Sequence, residues 1–189
     1  MVEEAREALG ADGFDAREEH LVELTNEIHG HIGIYSILGA KMGLRAVELL
    51  ESGGQGAADT GARGADTHSI SIVSYAGNNP PVSCLNDGLQ ISTGATLGRG
   101  RIRVPDTTSP RAEAEFHCGS RTLRLRLKPE YESRIQADIT LAVERFGHTP
   151  AYWHHVQELA LQYQRTWRRD AIFSLDLQTE LPGNRQDGD

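Results

Sequence analysis

Apolar residues recur every three or four positions through the first quarter of the chain, which is the spacing of one face of a helix. This stripe consists of Ile28, Ile32, Tyr35, Leu38, Met42, Ala46 and Leu49. Asp15 and Glu18 stand at the spacing of a capping box, which predicts a helix start. We expect helical structure from there to about Leu50.

Two histidines interrupt this pattern. His31 falls on the apolar stripe and His29 lies outside it, because side chains two positions apart cannot share a helix face. Gly30 and Gly33 would allow the backbone to break between them. We therefore predict a helix, a kink near Gly30 and a second helix.

Strict alternation of apolar and polar residues marks a β-hairpin over residues 112–127, with Gly119-Ser120 as its turn. Both faces agree on one register. The predicted opposite pairs are Phe116 with Leu123, Ala114 with Leu125, Glu115 with Arg124, and Glu113 with Arg126.

The other elements follow from shorter signals. Residues 70–75 and 102–104 favour strands, and residues 51–66, rich in Gly and Ala, indicate a surface loop. Ser83 is suited to cap a short helix that ends at Gly94.

Two further helices are predicted after Pro129. The first ends at Gly147, and the second is capped by Thr149 and runs to about Trp167. The whole pattern predicts an α+β fold, a mainly antiparallel sheet with flanking helices and a helical C-terminal extension. We expect one domain over residues 1–189, in which a core of 15–129 precedes a helical extension of 130–178 and a polar tail of 179–189.

Composition narrows the functional classes. Acidic residues outnumber basic ones by 27 to 19, a formal charge of −8, which disfavours binding to nucleic acid. No apolar run approaches a membrane-spanning length and the first residues lack an export signal, so we expect a cytoplasmic protein. In that reducing compartment Cys84 and Cys118 are expected to be free thiols or ligands.

His29, His31, Cys84 and Asp87 are the side chains that could hold a transition metal. Cys84 at a helix N-terminus would favour the thiolate, and Asp87 lies one turn further on. The alternatives are ordinary: His31 as a core residue, His29 as a solvated one, Cys84 as a small hydrophobe and Asp87 as part of a turn.

A glycine-rich segment, residues 93–100, follows this helix without the spacing of a phosphate-binding loop. Its amides and Arg99 could hold an anionic substrate, with Thr93 and Thr96 beside them, although a plain turn explains the same residues. Gln90, one turn beyond Asp87, extends the polar row. His154 and His155 lack the order of a zinc-protease motif, so we interpret them as surface or subunit contacts.

Three ordered motifs resemble one family. Residues 29–31, with the glycines that follow, resemble the His-Gly-His-x-Cys-Pro-Gly helix of the E-subunit family of formylmethanofuran dehydrogenase. Residues 84–90 resemble its Cys-x-x-Asp-x-x-Gln helix, and residues 93–100 its Thr-Gly-Cys-Thr-x-Gly-Lys-Gly loop. Residues 127–129 are similar to the strand end that follows, so the resemblance covers about 20–130.

The resemblance implies an α+β domain that is commonly a homodimer, often holds a metal and sometimes carries a C-terminal zinc ribbon. It does not imply formylmethanofuran chemistry. Gly33 replaces the cysteine of the first motif, where Ile34 and Tyr35 stand for the usual Pro and Gly, and Ala95 replaces the cysteine of the loop. Two predicted helices occupy the place of the ribbon.

The leading hypothesis is a metal-dependent enzyme acting on a small molecule. His31 and Cys84 would bind the metal, with His29 as third ligand or proton-transfer group, and Asp87 would orient a histidine or act as acid or base. Arg99 would hold the substrate. Around it, Tyr35, Gln90, Thr93 and Thr96 would line the pocket.

Mixed His and Cys ligands suit zinc best, with iron or haem as the alternative. A second hypothesis is a non-catalytic carrier of a metal or cofactor. A third is an interaction protein whose C-terminal helices, with Trp153, Trp167 and Arg168-Arg169, dock a partner.

Overall fold

The computed structural model describes residues 15–52 and 70–179, and all structural statements below concern these two ranges. The helices are α1 (Ala16–His29), α2 (Ile34–Ser52), α3 (Leu85–Thr93), α4 (Pro129–Phe146), α5 (Pro150–Thr166) and α6 (Arg169–Ile172). The strands are β1 (Ser71–Ser74), β2 (Ile102–Arg103), β3 (Glu113–Cys118), β4 (Arg121–Leu127) and β5 (Phe173–Thr179). Short 3-10 helices, Val82–Cys84 and Leu97–Arg99, flank α3.

The strands form one sheet in the order β2-β1-β3-β4-β5. Only β1 and β2 run parallel, and every other neighbouring pair is antiparallel. This confirms the predicted α+β fold with a mainly antiparallel sheet. The hairpin of β3 and β4 has the predicted register on both faces, from Glu113 opposite Arg126 to Phe116 opposite Leu123.

The predicted kink near Gly30 is confirmed. Asp15 caps α1 by accepting from the backbone N–H groups of Arg17 and Glu18. The helix ends at His29 because Gly30 takes a left-handed conformation, with φ of 83°, which glycine adopts without a steric penalty. The chain resumes as α2 at Ile34.

Helix α2 is the centre of the molecule. It packs against α1, α3, α5, α6 and β4. Its apolar side chains are almost completely buried, with Ile37, Leu38, Met42 and Leu44 each at 1% exposure or less. This burial explains why the apolar stripe continues through α2 to the end of the helix.

Two local predictions were wrong. Ser83 does not cap α3, because the 3-10 turn Val82–Cys84 runs directly into the helix and Cys84 occupies the cap position without a side-chain hydrogen bond. The end of α2 extends to Ser52, into the predicted loop, while residues 53–66 of that loop lie outside the described ranges.

The C-terminal region contains a strand that the sequence analysis did not predict. After α5 and α6, β5 pairs antiparallel with β4, so residues 173–179 belong to the sheet. The predicted polar tail is described only at Thr179. No helix in the described part of the chain has the length and apolar character needed to cross a membrane.

Candidate functional site

His29 and Asp87 join the two motif helices. His29 is the last residue of α1 and Asp87 lies in the first turn of α3, and 2.7 Å separates His29 Nδ1 from Asp87 Oδ2. The His29 side chain is only 9% exposed. A carboxylate accepts hydrogen bonds only, so the proton of a neutral His29 lies on Nδ1 and its Nε2 carries a free lone pair.

The Nε2 atom of His29 is buried and has no hydrogen-bond partner in the described structure. Asn26 Oδ1, one turn earlier on α1, and Asn86 Oδ1, next to Asp87, are buried and unpartnered in the same way. Asn86 Nδ2 donates to the Gly77 carbonyl at 3.0 Å, which fixes the amide orientation and leaves Oδ1 as the free atom.

Buried acceptors without a donor are uncommon in folded proteins, and each calls for a specific partner. Here three of them lie on the facing ends of α1 and α3. A ligand that offers positive charge or hydrogen-bond donors would satisfy them. Sequence reasoning missed Asn26 and Asn86. The spacing of Asn26 three residues before His29, on one helix face, was the available signal.

His31 occupies the opposite environment to the one predicted. It follows Gly30 outside either helix and is exposed, while His29 is the buried histidine. The prediction that His31 lies on the buried stripe was wrong, because the left-handed Gly30 interrupts the helical phase between the two residues. The two rings still adjoin, with centroids 4.3 Å apart and planes tilted by 40°. Partial burial, and then the neighbouring His29, lower the pKa of His31.

Cys84 is half-buried at the start of α3. Burial raises the pKa of the Cys84 thiol, and the negative charge of Asp87 raises this pKa further, so the thiol form is favoured. The expected thiolate was therefore wrong, because these two effects outweigh the helix N-terminus. In the described structure no hydrogen bond or ion pair joins Cys84 to His29 or His31, and their joint ligation stays a prediction.

The polar residues after Asp87 connect α3 to the glycine-rich loop. Gln90 Oε1 accepts from the Leu97 N–H at 2.9 Å and its Nε2 donates to the Asn86 carbonyl at 3.2 Å. Thr93 is buried, donates to the Leu89 carbonyl at 2.6 Å and accepts from the Ala95 N–H at 3.1 Å.

The loop itself is also internally bonded. The Thr96 carbonyl accepts from the N–H groups of Arg99 and Arg101. Arg99 Nη1 donates to the Gly94 carbonyl at 3.2 Å, at the C-terminus of α3. These bonds hold the loop in place, and substrate contacts of Gln90, Thr93, Thr96 and Arg99 stay predictions. Tyr35 is half-buried and lines a cavity of about 130 Å³.

The donor set fits a metal in one respect. A histidine that ligates a metal usually gives its other ring N–H to a carboxylate, which is the arrangement of His29 and Asp87. The set does not form a closed site: across residues 15–52 and 70–179, no three His, Cys, Asp or Glu side chains are placed to hold one ion together. Any ion held here would keep open coordination positions.

Gly33 shows where a ligand has been lost. A Cβ atom built at Gly33 would lie 3.4 Å from the unpartnered His29 Nε2 and 3.0 Å from Ser36 Oγ. The resembling family motif has cysteine at this position. The thiol that this chain lacks would thus stand next to the free imidazole nitrogen.

Fold and site together define an α+β domain with a buried His–Asp pair where two motif helices meet. The family described as FmdE, molybdenum formylmethanofuran dehydrogenase operon, matches residues 28–179, and the chain belongs to this family. The suspected relationship is confirmed.

The fold is also similar to a crystal structure of an FmdE-like protein from Syntrophus aciditrophicus, related to the E-subunit of tungsten formylmethanofuran dehydrogenase. The two chains are 17% identical, with a TM-score of 0.46, and the match covers 87% of this chain and 73% of the other. No curated protein matches the chain.

Proposed function

We propose that this protein binds a divalent transition metal at His29 Nε2 and acts on a small molecule there. The observation that supports this most is the buried Nε2 atom, which has no partner although Asp87 fixes the other side of the ring. An imidazole oriented in this way is a prepared donor. Its burial gives the donor a purpose only if something occupies the space in front of it.

His31 is the next ligand in this proposal, because its ring adjoins that of His29. Cys84 is a third ligand only after it loses its proton, and a nearby metal ion would favour that loss. Imidazole with a thiolate suits zinc, and iron or haem is the alternative. A bound metal would supply a Lewis acid or an activated water.

The remaining residues have supporting roles in the proposal. Asp87 keeps the His29 ring in the tautomer with a free Nε2, and it would accept the ring proton more strongly as positive charge develops on the imidazole. Arg99 and the loop amides would contact an anionic part of the substrate, with Thr93, Thr96 and Gln90 keeping the loop in place.

A test compares metal binding by the untagged wild-type protein with that of His29→Ala. Zn²⁺, Co²⁺ and Fe²⁺ are titrated separately by calorimetry, and the Co²⁺ form is followed by its visible spectrum. We expect binding that His29→Ala abolishes. His20→Ala is the matched control, because His20 is an exposed histidine on the same helix. Equal affinity of wild type and His29→Ala for all three ions would refute the proposal.

A carrier of a metal or cofactor is the second candidate. It is favoured by the small number of protein ligands in the described structure, which suits reversible binding. Release to a competing chelator, together with no turnover by the loaded protein of any candidate substrate, would identify a carrier. Turnover that His29→Ala removes and His20→Ala leaves intact would identify an enzyme.

A further inference from the structure

A separate cavity of about 130 Å³ lies between α2, α4 and the segment that leads into β3. Four polar side chains contribute to its lining: Tyr35, Arg111, Glu132 and Gln136. Val82 and Ala112 provide apolar wall. Neither His29 nor Asp87 belongs to the lining, so the cavity is distinct from the His–Asp pair.

Arg111 brings positive charge that is only partly used. Its Nε donates to Glu113 Oε2 at 3.0 Å, and its guanidinium carbon lies 5.6 Å from the centre of the Tyr75 ring. In the described structure the terminal Nη atoms make no hydrogen bond. These are the two nitrogens that accept a carboxylate in a bidentate manner.

Tyr35 and Glu132 form the opposite part of the lining. Burial, followed by the charge of Glu132, raises the pKa of Tyr35, so its hydroxyl is a neutral hydrogen-bond donor. Glu132 lies 3.9 Å from Arg126 Nη2, a distance that leaves its carboxylate free to accept short hydrogen bonds. Gln136 is exposed and adds amide groups where the cavity reaches solvent.

We infer that this cavity binds a small carboxylate that carries a neighbouring amino or hydroxyl group. The carboxylate is held by Arg111 with help from Tyr35, and the amino or hydroxyl group donates to Glu132. One positive and one negative side chain on the lining of one cavity favour a ligand with both kinds of group over a simple anion.

The size of the cavity limits the ligand. Its 130 Å³ correspond to about four water molecules at about 30 Å³ each. Glycine and glycolate are of this order, whereas a nucleotide or a dicarboxylate with a long chain is too large. Acetate fits but lacks the group that Glu132 would recognise.

The experiment is an NMR titration of the full ¹⁵N-labelled chain with glycine, glycolate and acetate. We expect glycine and glycolate to shift the amide signals of Tyr35, Arg111 and Glu132, and to bind more tightly than acetate. Equal binding of all three, or no shift at these residues at any ligand concentration that the protein tolerates, would overturn the inference.

Variants separate the contributions. Arg111→Gln should weaken glycine binding about tenfold to a hundredfold, and Tyr35→Phe, which removes one hydroxyl, about threefold to tenfold. Arg145→Gln is the matched control, because Arg145 is an exposed arginine further along α4. If Arg111→Gln does not fold, Tyr35→Phe and Glu132→Gln carry the test. Unchanged glycine affinity in these variants would overturn the inference.

The cavity inference is independent of the proposed metal site. His29→Ala should retain glycine binding at the wild-type affinity, whatever its effect on metal binding. Loss of glycine binding in His29→Ala, with Arg111 and Tyr35 intact, would assign the ligand to the His–Asp pair and overturn the separate site.

Discussion

Gly39 of α2 and Gly88 of α3 face each other where the two motif helices cross. A Cβ atom at Gly39 would lie 2.1 Å from the Leu85 carbonyl oxygen, and one at Gly88 would lie 2.2 Å from the Ser36 carbonyl oxygen. The backbones themselves are therefore in contact. This close crossing fixes the start of α3, and with it Asp87, relative to the end of α1.

Gly88→Ala should destabilise the protein strongly, because the obstructing atoms are backbone and cannot rotate away. We expect a loss of about 1–3 kcal/mol or more in the free energy of unfolding, measured by urea denaturation. Gly98→Ala is the control, since a Cβ there meets nothing within 4 Å, and it should change stability by less than about 0.5 kcal/mol. A loss for Gly88→Ala no larger than that of the control would contradict the crossing.

The sequence predicted the hairpin best because two independent patterns agreed. Phe116 opposite Leu123 satisfies the apolar face, and Glu115 opposite Arg124 satisfies the polar one, so a shift of one residue would break both. Strand β5 carries a similar but shorter alternation of Leu175 and Leu177 with polar residues. It was missed because the helical signal before it dominated, and those leucines remain 54% and 42% exposed at the sheet edge.

The site was predictable only in part. The motif residues identified the two helices, but periodicity assigned the buried position to His31, since it assumes a continuous helix through Gly30. The left-handed Gly30 gives that position to His29 instead. The unpaired atoms of Asn26 and Asn86 arise from tertiary packing, which no local pattern records.

Gly33→Cys should strengthen metal binding. The new side chain begins 3.4 Å from His29 Nε2 and adds a thiolate beside the free imidazole. We expect a rise of about tenfold or more in Zn²⁺ affinity, measured by competition with a chelator, together with a thiolate-to-metal charge-transfer band in the Co²⁺ form.

Gly33→Ala is the matched control for this gain, because it adds the same Cβ atom without sulfur. It should leave Zn²⁺ affinity at or below the wild-type value, since Ser36 Oγ lies 3.0 Å from the new atom and must move slightly. If Gly33→Ala and Gly33→Cys bind Zn²⁺ equally, the space in front of His29 is not a metal site.

The raised pKa of Cys84 predicts slow alkylation near neutral pH in the metal-free protein. The cause is burial together with the charge of Asp87, so the rate should rise only above the ordinary thiol value of 9.0. Asp87→Asn removes one cause, lowers the pKa of Cys84, and should increase the rate about twofold to tenfold at fixed pH. The measurement uses iodoacetamide in a Cys118→Ser background.

Asp106→Asn is the control for this charge effect, because Asp106 is an exposed carboxylate outside α3. It should leave the alkylation rate of Cys84 unchanged. A wild-type thiol that reacts at neutral pH as fast as free cysteine would contradict the raised pKa.

Lys41 supports the fold from the middle of α2. It is 1% exposed, pairs with Glu18 of α1, and donates to the carbonyls of Gln164 and Trp167 at 2.8 and 3.0 Å. The ammonium group thus lies at the C-terminal end of α5, where unpaired carbonyls favour positive charge. Arg169 also pairs with Glu18, at 2.9 Å, so the cluster joins α1, α2, α5 and α6.

Lys41→Met should therefore cost about 3 kcal/mol in the free energy of unfolding, because it leaves buried carbonyls and a carboxylate without their cation. Urea denaturation measures this loss. Arg45→Met is the matched control on the same helix, since Arg45 pairs with Glu48 at 3.2 Å in a partly exposed position and should cost less than about 1 kcal/mol. Equal losses for the two variants would show that the buried ammonium does not hold the end of α5 in place.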